Sequence, residues 1–170
     1  MRKLIIWGTA ALLLWCGAAQ LGYRINATAS EPLGLYRIVD ETPQRNDLTT
    51  FCLAQDNSYS RLARERGYLG ESYLCPSGQK PLLKEVAGLA GDSITVTASN
   101  ISVNQKSYQT PFREKDRLGR TIRRHLKSGV IPEGKALLLS THHPDSFDSR
   151  YFGLVDTKTL HKVIPVFTFN

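Results

Sequence analysis

Residues 4–19 read LIIWGTAALLLWCGAA, with no charge, no proline and nothing more polar than Thr9. A helix needs about 20 apolar residues to cross a bilayer, with roughly 17 tolerated. Extended through Gln20 to Gly22, the run reaches that length before Tyr23 and Arg24 close it. Arg2 and Lys3 precede it, and basic flanks stay on the cytoplasmic side, so the rest of the chain is expected to cross. Two outcomes fit. An uncleaved signal-anchor is favoured by the length, beyond the roughly 7–15 residues of an ordinary signal-peptide core, and by Trp15 and Tyr23 at interfacial positions. The alternative is a signal peptide cut after Ala19, with Gly17 and Ala19 as the small residues of the site. A lipid-modified Cys16 is disfavoured by bulky Trp15 in front of it. The expected division is therefore an anchor over 1–24 and an extracytoplasmic domain over 25–170, in a single-pass membrane protein.

At 170 residues, 41% of them hydrophobic, the chain has material for one domain with a real core. Its formal charge of +7 raises nucleic acid as a partner, but the charge is local. Residues 113–127 (REKDRLGRTIRRHLK) hold seven basic and two acidic residues. Arg2, Lys3 and Arg24 bracket the apolar run, and the remainder is nearly neutral. The basic segment lies on the exported side and lacks the interleaved aromatics that stack on bases, so no nucleic-acid partner is expected. With no apolar stripe to dock it, it reads as a solvated loop or hairpin arm. Contact with anionic lipid headgroups or an acidic substrate segment is the second reading.

An oxidising compartment gives the cysteines meaning. Cys52 and Cys75 are the pair left in the exported part, bracketing the polar stretch 53–74 with one helix-like turn near Ser60–Arg66, and a disulfide closing this insertion is the natural reading. Two cysteines supply no zinc framework, and His142 and His143, being adjacent, would point to opposite faces of a strand, so neither a metal nor another cofactor is expected. Short apolar stretches (LGLYRIV, LTTFCL, LLKEVAGL, SITVTA, ISVN, KALLLS, HKVIPVFTF) alternate with Pro, Gly, Asn and Asp, which predicts a mainly antiparallel β domain. Gly91-Asp92 and Ser99-Asn100 read as turns around SITVTA, with ISVN returning as its hairpin partner.

Three short motifs carry chemistry. Ser30 sits in ATASEPLGLY, just past the apolar run, and alone would pass for a loop serine. In LLKEVAGLAGD, a two-residue period puts Leu82, Lys84 and Val86 on one face, where a lysine must snorkel or lose its charge; desolvation lowers its pKa and makes it a base near neutrality. In PDSFDSRYFG, Asp148 and Arg150 have the spacing of a bidentate pair, which also suits an ordinary structural salt bridge.

In this order, behind a membrane segment, the motifs resemble those of the type I signal peptidase superfamily, and most closely its TraF-type conjugative transfer peptidases, because Glu31-Pro32 follows Ser30 directly and a Cys-bracketed insertion is present. The resemblance covers residues 4 to about 155. It implies an antiparallel signal-peptidase-like β domain behind one transmembrane helix, and a Ser/Lys dyad in which Ser30 is the nucleophile and Lys84 the base. It further implies an oxyanion hole from the Ser30 N–H and the Thr28 hydroxyl, a lysine-orienting hydroxyl on Ser146, and a structural role for Arg150. For Asp148 it implies a structural or more direct catalytic role, and Gly88 and Gly91 would supply turn or close-approach backbone. The implied partners are membrane lipid and an exported precursor with small residues at the cleavage site, most closely a conjugative pilin subunit, with hydrolysis and cyclisation both open as outcomes. The asparagine-rich stretch that general signal peptidases carry before the third motif is replaced by Ser140–Pro144, and the two histidines there are expected to line a loop or a substrate groove. A general signal peptidase and a non-enzymatic anchored component of a secretion apparatus are the alternatives. A self-cleaving repressor with the same dyad is excluded by the absence of a DNA-binding helical unit.

Overall fold

A computed structural model describes Trp7 and residues 17–169. Most of the expected anchor over 1–24, Cys16 included, lies outside these residues. Among the described residues no helix is long and apolar enough to cross a membrane; residues 17–20 are helical and lead through a turn into the first strand.

Two antiparallel sheets make up the rest. The larger has the order β1-β2-β11-β3-β4-β9-β10, built from β1 (Tyr23–Asn26), β2 (Leu33–Ile38), β3 (Leu48–Phe51), β4 (Leu82–Leu89), β9 (Lys135–Leu139), β10 (Val155–Asp156) and β11 (His161–Phe169). The smaller has the order β7-β6-β5-β8, from β5 (Ser93–Val96), β6 (Ile101–Val103), β7 (Lys106–Tyr108) and β8 (Gly129–Val130). The expected hairpin is present, with Ile94 opposite Val103 and Val96 opposite Ile101.

The β9 stretch KALLL explains how one sheet serves two cores. Its apolar residues run without a polar break, the pattern of a strand buried on both faces. Leu137 and Leu139 enter a cluster with Ala87, Ile94, Ile101, Val103 and Ile131 beneath the small sheet. Ala136 and Leu138 face the other way, into a cluster with Phe51, Leu53, Leu82, Val86 and Phe152. Neighbouring β4 shifts register between Val86 and Gly88. A side chain at Gly88 would come within 2.7 Å of Ile131 Cδ1 and 3.1 Å of Val103 Cγ1, so glycine suits the close packing of β4 against the core beneath the small sheet. Gly91, at φ +86°, supplies the left-handed residue of the turn into β5.

The insertion between β3 and β4 carries helix α1 (Ser58–Glu65), started by Asn57, whose side chain accepts from the Tyr59 N–H at 2.8 Å. Cys52 and Cys75 are joined and close it. The basic segment is irregular, as expected of a loop, but it is held in place. Asp116 accepts from the Tyr68 hydroxyl at 2.7 Å and from the N–H groups of Leu118 and Arg120 at 2.9 Å each, and Arg66 donates to Thr121 O at 2.7 Å. The reading as a free solvated arm missed this because the partners lie some 50 residues away, on the insertion.

Candidate active site

Residues 27–32 connect β1 to β2, and Asn26 shapes that connection. Its buried amide Nδ2 reaches the carbonyls of Thr28, Glu31 and Pro32 at 2.9–3.0 Å, while its Oδ1 accepts from the Thr28 N–H at 3.1 Å and hydroxyl at 2.8 Å. Tyr36, on β2, donates to Pro32 O at 2.7 Å, and the Ser140 hydroxyl donates to Ser30 O. One asparagine thus holds most of the turn, and Ser30 Oγ is left pointing toward β4.

Lys84 meets it there. The alternation on β4 buries Leu82, Lys84 and Val86 together, and Lys84 is 3% exposed. Its Nζ lies 3.0 Å from Ser30 Oγ and donates to Leu83 O at 2.8 Å. Burial brings the ammonium down from 10.5 to about 8, against the opposing pull of the Asp148 and Glu31 carboxylates. Near neutrality a fraction of the side chain is therefore the free amine, within hydrogen-bond distance of the Ser30 hydroxyl.

Glu31 is a second buried titratable group. It is 2% exposed, and one carboxyl oxygen has no hydrogen-bond partner among the described residues. Burial raises it from 4.5 to about 7, with the nearby Lys84 ammonium limiting the rise. Its Oε2 lies 3.6 Å from His142 Nε2.

The third motif is arranged differently. Asp148 and Arg150 are both fully buried and bidentate, Nε to Oδ1 at 2.8 Å and Nη2 to Oδ2 at 2.9 Å. Asp148 also accepts from the N–H groups of Arg150 at 3.1 Å and Ser140 at 3.2 Å, capping the four-residue helix α2 (Ser149–Phe152). Its oxygens are therefore occupied, and it acts on Lys84 through its charge rather than by hydrogen bonding. The hydroxyl of Ser146 is buried without a hydrogen-bond partner among the described residues, and its carbonyl accepts from Arg150 at 2.8 Å. The structure brings Ser30, Lys84 and Thr28 together, Thr28 Oγ1 lying 3.4 Å from Ser30 Oγ. It does not bond Ser146 to Lys84, whose partners are Ser30 and Leu83, and the Thr28 hydroxyl proton is directed to Asn26 rather than into the groove. Sequence reasoning missed Asn26, Ser140 and the burial of Glu31; the only local signal was Asn26 as a turn former two residues before Thr28.

Ser30 and Lys84 line a groove of ≈ 890 Å³ whose walls mix apolar residues (Tyr23, Leu69, Leu82, Phe147) with cations of the 113–120 arm. Among the described residues no group of three or more His, Cys, Asp or Glu is placed to hold a metal ion.

The family model for signal peptidase, peptidase S26, matches residues 2–167. A plasmid transfer protein TraF of Escherichia coli is 32% identical over 169 residues, covering 97% of this chain and 93% of its own length. A conjugal transfer protein TraF of Agrobacterium fabrum is 36% identical over 170 residues, covering 96% and 94%. Among solved structures, a signal peptidase I of Enterococcus faecalis aligns with 73% of this chain and 97% of its own at a TM-score of 0.40 and 20% identity.

Proposed function

The chain belongs to the signal peptidase family, peptidase S26, and to its TraF-type conjugal transfer group, and from that premise we propose that it is a serine endopeptidase with a Ser30/Lys84 dyad that processes an exported precursor during conjugation, a pilin subunit above all. The observation that carries the dyad is the 3.0 Å approach of Lys84 Nζ to Ser30 Oγ inside a buried, desolvated setting.

The steps follow from that geometry. The free amine of Lys84 takes the proton of Ser30 as Oγ bonds to the carbonyl carbon of the scissile peptide. The Ser30 N–H is placed on the nucleophile's own residue to steady the oxyanion, and Thr28 joins it once its hydroxyl turns from Asn26. Collapse breaks the C–N bond, and Lys84 returns the proton to the leaving amine. The acyl group on Ser30 then passes to water, giving a linear product, or to the substrate's own amino group, giving a cyclic one. Strand β1, at the edge of the large sheet beside the groove, offers backbone groups on which an extended substrate can pair.

Placement at a membrane is supported by an exposed apolar face. Ile25 and Leu35 are opposite each other across β1 and β2, Leu33 and Phe169 across β2 and β11, and Phe167 pairs with Leu35. Ile25 and Leu33, which follow the N-terminal apolar segment in the chain, and Phe167 and Phe169 of β11 stay exposed. Water disfavours such a patch and lipid accepts it. It fits a single-pass protein of the inner membrane with residues 25–170 on the periplasmic side.

Co-expression with a candidate prepilin, followed by the mass of the product, tests the reading. The wild type should process it and Ser30→Ala should not, whereas processing by Ser30→Ala would leave the dyad without support. A cyclic product is one water lighter than a linear one.

A further inference from the structure

The groove that holds Ser30 and Lys84 is cationic where the 113–120 arm and the 66–80 loop line it. Lys80, Lys115, Arg66, Arg113, Arg117 and Arg120 face it against two carboxylates, Asp116 and Asp145. Each carboxylate already serves two guanidinium groups. Asp145 lies 2.5 Å from Arg113 and 3.0 Å from Arg117, and Asp116 lies 2.7 Å from Arg120 and 3.8 Å from Arg66. Each cluster therefore keeps one positive charge uncompensated. Lys80 and Lys115 are exposed and enter no ion pair among the described residues.

A merely solvated face would need none of this ordering. The arm is tied down by the Tyr68–Asp116 and Arg66–Thr121 bonds, and Arg117 Nη2 lies 3.2 Å from His143 Nε2 in the same groove. Its charges are thus presented at fixed positions, which lowers the ordering cost of meeting a partner. A concave surface lined by one sign of charge also focuses the field on whatever enters it. We infer that the peptide segment bound in this groove carries acidic side chains close to the scissile bond, and that Lys80, Lys115 and Arg117 receive them. This rests on the reading of the groove as a peptidase site and names the substrate's chemistry. An acidic peptide fits better than a lipid surface, because the cations line the cleft of Ser30 whereas Leu33, Phe167 and Phe169 of the exposed apolar face lie outside it, Ile25 alone being shared.

The test uses the full chain as Ser30→Ala in neutral detergent, so that binding is read without turnover. Peptides with small residues at the cleavage position and flanking Glu, or the same peptides with Gln, are titrated by fluorescence anisotropy with an uncharged dye. Two or three exposed charge contacts give the Glu peptide an advantage of about fivefold or more. That advantage should shrink as salt rises from about 50 mM to about 500 mM. It should be lost in Lys115→Glu/Arg117→Glu and reduced in Lys80→Gln/Lys115→Gln, where no ion pair is disturbed. Equal affinity for the Glu and Gln peptides, or an advantage untouched in both double variants, overturns the inference. So does a variant that keeps its preference for the Glu peptide while losing affinity for phosphatidylglycerol vesicles over phosphatidylcholine ones, which would make the arm a lipid contact. Failure of Ser30 as nucleophile would appear in the processing assay and leave these affinities as they are.

Discussion

Two sets of charged groups are buried beside one another, and they are treated in opposite ways. Every N–H of the Arg150 guanidinium has an acceptor: Asp148, Ser146 O, Pro111 O and Pro144 O. Both oxygens of Asp148 are doubly engaged. Lys84 and Glu31 are buried nearly as deeply, yet Lys84 has two hydrogen-bond partners for the three donors of an ammonium, and one oxygen of Glu31 has none among the described residues. Full pairing fixes a charge, because losing or gaining a proton would strand the partner in a low dielectric. Burial without full pairing does the reverse and brings both groups toward neutral pH, Lys84 to about 8 and Glu31 to about 7. The first arrangement holds the third motif rigid; the second leaves a proton free to move.

The sharpest way to break this contrast is to remove one member of each set. Lys84→Met deletes the proposed base, and cleavage should fall about 10³-fold or more. Its thermal stability should hold or rise, because a poorly solvated amine is replaced by an apolar chain of similar shape. A clear loss of stability would show that Lys84 is paired more fully than its contacts indicate. Arg150→Met, by contrast, strands a buried carboxylate and should cost about 3–5 kcal/mol in a denaturant titration. A cost under about 1 kcal/mol would remove the distinction.

Proton linkage gives a smaller effect with a definite sign. Between 4.5 and about 7 the native state keeps a proton on Glu31 that the unfolded chain has released, so stability should fall as pH rises through this window. The fall should be on the order of 2–3 kcal/mol, and Glu31→Gln should flatten it. Between about 8 and 10.5 the unfolded chain holds the extra proton, on Lys84, so stability should rise with pH, and Lys84→Met should abolish the rise. The smallest expected effect is kinetic. Cleavage by the wild type should increase as pH passes through about 8. In Glu31→Gln that increase should move to lower pH, since the ionised carboxylate no longer favours the charged lysine. An unmoved profile would mean that Glu31 is not coupled to the base.

Much of this was legible locally. Leu82, Lys84 and Val86 share a face because side chains alternate on any strand, so the sequence puts the lysine between two aliphatics, and the structure decides that it is buried there rather than snorkelling to solvent. The seven apolar stretches were legible as strands from their short apolar runs between turn residues, and Cys52 and Cys75, 23 residues apart, had one another as partners. Asn26 was not legible as the organiser of the Ser30 turn, since an asparagine at a strand end has many uses and its three carbonyl acceptors appear only when the hairpin closes. Glu31 is marked in the sequence only by the Glu31-Pro32 spacing after Ser30, and its burial depends on how that loop lies beside β4. The basic arm read as free because its anchors, Arg66 and Tyr68, belong to another segment.

The sequence by itself determined seven of the eleven strands, the shared face of Leu82, Lys84 and Val86 and the order of the three motifs, because each is set by local side-chain pattern or chain order over a few residues; the short strands β1, β7, β8 and β10 were not read from it. Only the tertiary structure decided which groups meet. Ser30 and Lys84 are 54 residues apart, and Ser30 O and the Ser140 hydroxyl are 110 apart. Contacts at that separation exist only once the sheet order brings the β1–β2 turn, β4 and the loop after β9 to one place. The same closure withdraws water from Lys84 and Glu31 and so moves their proton affinities, an effect that no stretch of sequence produces alone.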